Sequence, residues 1–265
     1  MIIIGEKING SIPSVAKAIA ERDADHIRSL AKLQADAGAD FIDVCASVKD
    51  GELETLHWLI DLVQETTDTP ICVDSPDAAV CVEAMKFCKK PGLVNSVSME
   101  GDKCDVIFPA IAGTPWQVVA LLCGRGIPRS AADRLKVFDQ LMEKAKQYNI
   151  PASGIHIDPL VEMLCTSEDG IATVTEVIKT VKEKEPKIHV TGAVSNISYN
   201  LPVRRLLNQA FLVLAMNAGM DSAVMDPTNR DLLGLVYAAE AMLGLDEYCM
   251  EYIGAYREGL FGPQK

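Results

Sequence analysis

Short apolar, β-branched runs alternate with longer amphipathic stretches from one end of this chain to the other, and this alternation constrains the fold more than any other feature. Apolar runs of that length are buried parallel strands, and the stretches between them are long enough for the helical crossovers that parallel pairing demands. The strand candidates are residues 2–4, 41–44, 71–73, 93–95, 118–122, 155–157, 189–191 and 223–225. Helices are expected over 24–37, 53–66, 78–88, 104–112, 131–147, 170–184, 203–217 and 230–243, with Gly38, Gly219 and Gly244 as stops. At Ser75-Pro76-Asp77 a serine cap, a proline in the first turn and an early acid mark one helix start.

Eight βα units in 265 residues suit a (β/α)8 TIM barrel, whose usual length is about 250 residues. A doubly wound open sheet gives the same alternation, but no G-x-G-x-x-G follows the first strand and no Walker loop occurs. No linker, low-complexity segment or charge block divides the chain, so a single domain over residues 1–265 is expected.

A net charge of -12 opposes surfaces that neutralise nucleic-acid phosphates or lie on anionic membranes. The start, Met1 to Ile4 followed by Glu6-Lys7, is too short and too soon charged for a signal peptide, and no apolar run approaches the ~20 residues of a membrane span. A cytoplasmic enzyme is the expectation. The eight cysteines are dispersed, several in apolar runs, which reads as buried free thiols rather than a disulfide framework. Without a C-x-x-C or H-x-x-x-H pair, no bound metal is expected. The E-x-x-H of Glu54 and His57 reads as a solvated helix face, and Trp58 and Trp116 as packing residues.

In a barrel of this type the active site is built from residues that end the strands. Here they are polar: Asp43, Asp74, Asn95, Asp158 and Asp226 end strands, and Asn196 follows the seventh. Each alone has an ordinary explanation as a turn residue. Together, from different strands, they would converge on one rim. A cleft of carboxylates and carboxamides poor in Lys, Arg and His suits a neutral, donor-rich heterocycle better than a phosphate, and the 2-amino-4-oxo edge of a pterin is such a group.

The segments GEKING at 5–10, ERDADHIRSLAKLQADAGADFIDV at 21–44, VDS at 73–75, NSVS at 95–98, HIDPL at 156–160, SNIS at 195–198 and LVLAMNAGMDSAVMD at 212–226 together resemble the methyltetrahydrofolate:corrinoid protein methyltransferases. These are pterin-binding barrels akin to the folate domain of cobalamin-dependent methionine synthase. The resemblance covers nearly the whole chain. It implies that Asp74, Asn95 and Asp158 hold the pterin ring and that Asn196 hydrogen-bonds the N5 region, where the methyl group resides. Asp43, Ser96, Ser198, Tyr199, Arg204, Met225 and Asp226 are secondary candidates, Arg204 for the folate tail. Three positions depart from the family pattern: Cys45 stands where it usually has asparagine, Tyr199 replaces a common glutamine, and Ala193 replaces a glycine.

The implied reaction is an SN2 methyl transfer between tetrahydrofolate N5 and the cobalt of a corrinoid (cobalamin). The chain has no D-x-H-x-x-G segment to ligate cobalt, so the corrinoid is expected on a partner protein. A homodimer is also implied, with the apolar stretch 248–261 either contributing to an interface or covering the barrel. Alternatives are a dihydropteroate synthase-like enzyme, although no S-x-K-R-like segment is present for a diphosphate leaving group, a zinc-dependent methylcobalamin:thiol methyltransferase, and a non-catalytic folate-binding barrel.

Overall fold

A computed structural model describes residues 1–263. The eight runs become parallel strands: β1 (Ile2–Asn9), β2 (Phe41–Cys45), β3 (Ile71–Asp74), β4 (Leu93–Val97), β5 (Gln117–Leu121), β6 (Ile155–Asp158), β7 (His189–Val190) and β8 (Ser222–Met225). They pair in the order β7-β6-β5-β4-β3-β2-β1-β8. A parallel bridge between Ala193 and Val224, with the Val224 amide donating to the Gly192 carbonyl at 3.0 Å, brings the two ends of the sheet together. The result is a TIM barrel, nearly closed and thinnest between β7 and β8.

Among the described residues ten helices surround it: α1 (Pro13–Glu21), α2 (Ala24–Asp36), α3 (Glu52–Thr66), α4 (Ala78–Met85), α5 (Lys103–Ile111), α6 (Ala131–Gln147), α7 (Ala172–Lys184), α8 (Arg204–Ala218), α9 (Arg230–Met242) and α10 (Met250–Glu258). The main core lies between helices and strands. A second, smaller core of Ile4, Phe41, Cys72, Leu93 and Val119 plugs the barrel interior, as expected where alternate residues of each strand point inward. His156, on the inward side of β6 two residues before Asp158, bonds Gln117 Oε1 through Nε2 at 2.7 Å and Ser222 Oγ through Nδ1 at 3.0 Å. Burial pushes its pKa down to about 3, so this link is made by a neutral imidazole.

Several local features differ from the sequence expectation. Helix α1 was not anticipated. Helix α4 is capped by Asp77, whose Oδ1 accepts from the Ala79 amide at 2.8 Å, while Ser75 Oγ, two residues earlier, accepts from the Asp77 amide at 3.1 Å; two short polar residues competed, and the nearer one won. The expected buried thiols are found at Cys45, Cys72, Cys81 and Cys104, but Cys165 and Cys249 are exposed. The 248–261 stretch packs Phe261 against Tyr237 and Tyr252, with ring centroids 5.7 and 4.9 Å apart, and so covers part of the barrel's outer layer. Among the described residues no helix is long and apolar enough to cross a membrane.

The most consequential difference is β1, which runs past Ile4 to Asn9. Its pairing with β2 jumps from Gly5 opposite Ile42 to Ile8 opposite Val44, so the strand bulges at Glu6 and Lys7. The Lys7 amide, released from the ladder, donates instead to Oε1 of the fully buried Gln34 at 2.9 Å. A Cβ on Gly5 would lie 2.5 Å from that same oxygen, so only glycine lets Gln34 reach the bulge.

Candidate active site

The strand registers explain how residues far apart in sequence meet. Asp43 pairs with Cys72, Cys45 with Asp74, and Asp74 with Asn95, all on the face that points into the barrel. Asp74 and Asn95 are therefore directly opposite each other on adjacent strands. Asp158 ends β6 on the same rim. Asn196 lies in the 3-10 turn Val194–Ser198 that follows β7. All five of Asp43, Asp74, Asn95, Asp158 and Asn196 line one cavity of about 460 Å³ at the C-terminal mouth.

The carboxyls are held in low dielectric. Asp43 is 2 % exposed, accepts from Asn95 Nδ2 at 3.4 Å, and is driven well above the usual carboxylate range by burial and by the neighbouring Asp74. Burial pushes Asp74 up to about 6, opposed by a hydrogen bond from Cys45. Burial also lifts the Cys45 thiol to about 12, so it stays an S–H donor. Cys45 thus supplies a donor beside Asp74.

Asp158 is raised to about 6 by burial, while the Leu160 amide bonds its Oδ1 at 2.7 Å and the charge of Arg134 lowers it. Arg134, 1 % exposed within α6, donates to the carbonyls of Pro159 and Leu160 at 2.6 and 2.7 Å, to that of Pro128 at 3.0 Å, and to Glu162. It clamps the loop that carries Asp158.

The turn that carries Asn196 is braced in a similar way. Ser198 is fully buried, donates to the Ser195 carbonyl at 3.3 Å and accepts from Arg204 Nε at 3.0 Å. Arg204 Nη2 also donates to the Ser195 carbonyl at 2.7 Å, and its guanidinium lies 5.8 Å from the Tyr199 ring centre. Tyr199 and Arg204 line the cavity; Ser198 supports its wall.

Three secondary candidates sit elsewhere. Ser96 is not among the residues lining the cavity. Met225, fully buried, belongs to the outer core because it has the opposite strand parity to the cavity-lining Val224. Asp226 accepts from the Thr228 amide at 3.0 Å and pairs with Lys7 at 3.1 Å, in a smaller adjoining pocket.

Sequence reading assigned no role to Glu6, Asn9 or Arg134. Glu6 and Asn9 line the cavity, and Ser195 Oγ donates to Glu6 Oε2 at 3.1 Å. The signal was a polar residue in the inward register of β1, after Ile2 and Ile4, but a charge there looked like the end of a strand. For Arg134, an arginine on an otherwise amphipathic helix gave no such sign. Among the described residues four carboxyls face this cavity and Arg204 is the one cation that lines it, which favours ligands rich in N–H donors over anions.

Residues 6–226 match the family described as pterin binding enzyme. The chain is 48% identical to a methylcorrinoid:tetrahydrofolate methyltransferase of Eubacterium limosum, covering 99% of this chain and 98% of that protein. It is 28% identical to the methionine synthase of Mycobacterium tuberculosis over 87% of this chain but 21% of that longer protein. Among solved structures, a Yersinia pestis DHPS with a pterine-sulfa conjugate superposes with a TM-score of 0.65 at 17% identity, covering 92% of this chain and 94% of the other. At that identity the likeness establishes the barrel alone.

Proposed function

The chain belongs to the pterin-binding enzymes, and on that footing we propose that it is a methyltransferase moving a methyl group between tetrahydrofolate N5 and the cobalt of a corrinoid carried by a partner protein. The observation that carries this reading is the convergence of Asp74, Asn95 and Asp158 on one side of a cavity that Asn196 faces from another. Carboxyl acceptors and a carboxamide suit the amino and oxo edge of the pterin. Asn196 is then left for N5, and Arg204, at the exposed rim, for the anionic tail.

The name of the Eubacterium limosum relative suggests the direction from methylcorrinoid to tetrahydrofolate. The N5 lone pair attacks the methyl carbon in line with the carbon–cobalt bond, whose electron pair stays on cobalt. Positive charge develops on N5, and the side-chain oxygen of Asn196 stabilises it. Demethylation of a methylated compound by another enzyme would supply the methylcorrinoid. A cavity of about 460 Å³ is of the size expected for a bicyclic head group, and on this reading the partner presents its corrinoid over the mouth. Among the described residues that line the cavity Arg204 is the single cation against four carboxyls, which disfavours the diphosphate leaving group that a dihydropteroate synthase would need.

The test is anaerobic visible spectroscopy of the purified protein with methylcob(III)alamin and tetrahydrofolate. Appearance of cobalt(I) together with 5-methyltetrahydrofolate is expected. If neither free nor protein-bound methylcorrinoid reacts while folate still binds, the non-catalytic reading takes its place.

A further inference from the structure

Methyl transfer at N5 requires a proton to move as well. Tetrahydrofolate N5 carries one hydrogen; once its lone pair has bonded to the methyl carbon, N5 is a cationic ammonium that must release that proton to give neutral 5-methyltetrahydrofolate. In the reverse direction the proton has to be restored before N5 can leave with its electron pair. A carboxamide such as Asn196 cannot exchange protons at neutral pH.

The order of the strands around the barrel limits which group can. Asp74, Asn95 and Asp158 come from β3, β4 and β6, whereas Asn196 follows β7, which adjoins β8 and then β1. A bicyclic ring whose pyrimidine edge meets the first three presents its other ring toward the β7–β8–β1 arc. On that arc, among the described residues, the cavity is lined by Asn9, Val224, Ala193, Ser195, Asn196 and a single carboxyl, that of Glu6, with the exposed Tyr199 and Arg204 at its edge. The β1 bulge directs Glu6 there, and Ser195, next to Asn196, donates to its carboxylate at 3.1 Å.

From this arrangement, which presupposes the methyl transfer proposed above, we infer that Glu6 exchanges the N5 proton: its carboxylate accepts it after transfer to tetrahydrofolate, and its carboxylic acid returns it in the reverse direction. On this reading Asp74 and Asp158 are committed to the pyrimidine edge, and Asp43, on the β2 side of the same cavity, accepts from Asn95. The surroundings of Glu6 suit the task. Its pKa is raised to about 7 by burial and by Asp226 at the end of β8, while the Ser195 hydroxyl, Lys7 on its own strand and Arg204 on α8 lower it. Asp43 on β2 also interacts with it through charge repulsion. A group half-protonated near neutrality can both accept and donate.

The experiment compares wild type with Glu6→Gln and Glu6→Asp in single-turnover transfer from methylcob(III)alamin to tetrahydrofolate across pH 5 to 9. In parallel, calorimetry of 5-methyltetrahydrofolate binding in buffers of different ionisation enthalpy reads proton uptake without requiring turnover. Glu6→Gln is expected to keep folate affinity within about threefold and to lower the transfer rate roughly 10²- to 10³-fold. It should also lose the ionisation near pH 7 from the rate profile and lose the buffer-dependent proton uptake, with partial recovery in Glu6→Asp. Unchanged rate, profile and proton uptake in Glu6→Gln would overturn the role of Glu6, as would a loss of affinity that accounts for the whole rate effect. If wild type fails to react with any corrinoid, the methyltransferase reading fails instead, and the calorimetric arm still decides whether Glu6 carries a ligand-linked proton.

Discussion

Asn95 donates through Nδ2 to Asp43 Oδ1 at 3.4 Å, so a residue on the cavity wall is oriented by a carboxyl that is itself almost wholly removed from solvent. The partner of that amide fixes which end of the Asn95 carboxamide faces the ligand. Replacing Asp43 with alanine leaves a buried donor unpaired, a penalty of ~1–3 kcal/mol. Asp43→Ala is expected to weaken pterin binding about tenfold or more, whereas Asp43→Asn, which keeps an acceptor, should change it far less. Fluorescence titration with tetrahydrofolate checks this; equal losses in both variants would mean that Asp43 acts through its charge and not by orienting Asn95.

Asn196→Ala tests the proposed role of the turn after β7. Loss of one contact made mainly in the transition state should slow transfer roughly 10²- to 10³-fold, with a much smaller change in folate affinity. Single-turnover spectroscopy measures the first and titration the second. A proportional loss of both would make Asn196 a binding residue only.

Asp158 predicts a stability trend with pH. Burial raises its pKa from the unfolded value to about 6, so between these values the folded state holds more proton than the unfolded one. Its contribution is fully present below the unfolded pKa and is lost as pH rises through about 6. At pH 7 the ionised group therefore destabilises the empty barrel. His156, pushed down to about 3, acts in the opposite sense over much of the same range, so the comparison has to be between wild type and Asp158→Asn. The variant is expected to melt about 2–4 °C higher at pH 7, with the difference vanishing below about pH 4, and to bind pterin poorly. Thermal melts without ligand at both pH values decide it; no difference at pH 7 would show that Asp158 is effectively solvated.

Arg134 predicts an effect at a distance. Removing its guanidinium leaves the carbonyls of Pro128, Pro159 and Leu160 and the carboxylate of Glu162 without their donor. Arg134→Met is expected to destabilise the fold by about 3 kcal/mol and to weaken pterin binding because the Asp158 loop loses its clamp. Denaturant unfolding gives the first quantity and ligand titration the second. A destabilised variant with wild-type affinity would make Arg134 a packing residue without influence on the site.

The comparison between sequence and structure follows a pattern set by the range of the interactions involved. The strands were legible because a buried parallel strand must be an apolar β-branched run, and Asp74, Asn95 and Asp158 because they end such runs. The helix stops at Gly38, Gly219 and Gly244 were legible because a left-handed φ at a helix end favours glycine. The start of α4 was harder, since Ser75 and Asp77 are both competent caps.

Local sequence by itself determined the order of strands and helices, the inward or outward side of residues in the regular parts of the strands, and the polar character of the barrel mouth, because all of these follow from periodicity and from the chemistry of single side chains. Tertiary structure alone decided that β1 bulges, since that depends on Gln34 reaching across from α2 to the Lys7 amide. It alone decided that Glu6 meets Ser195 and that Arg134 holds the Asp158 loop. Those contacts join residues as far as 189 positions apart, and the free energy of such a contact resides in the burial and geometry of both partners, which neither local segment encodes.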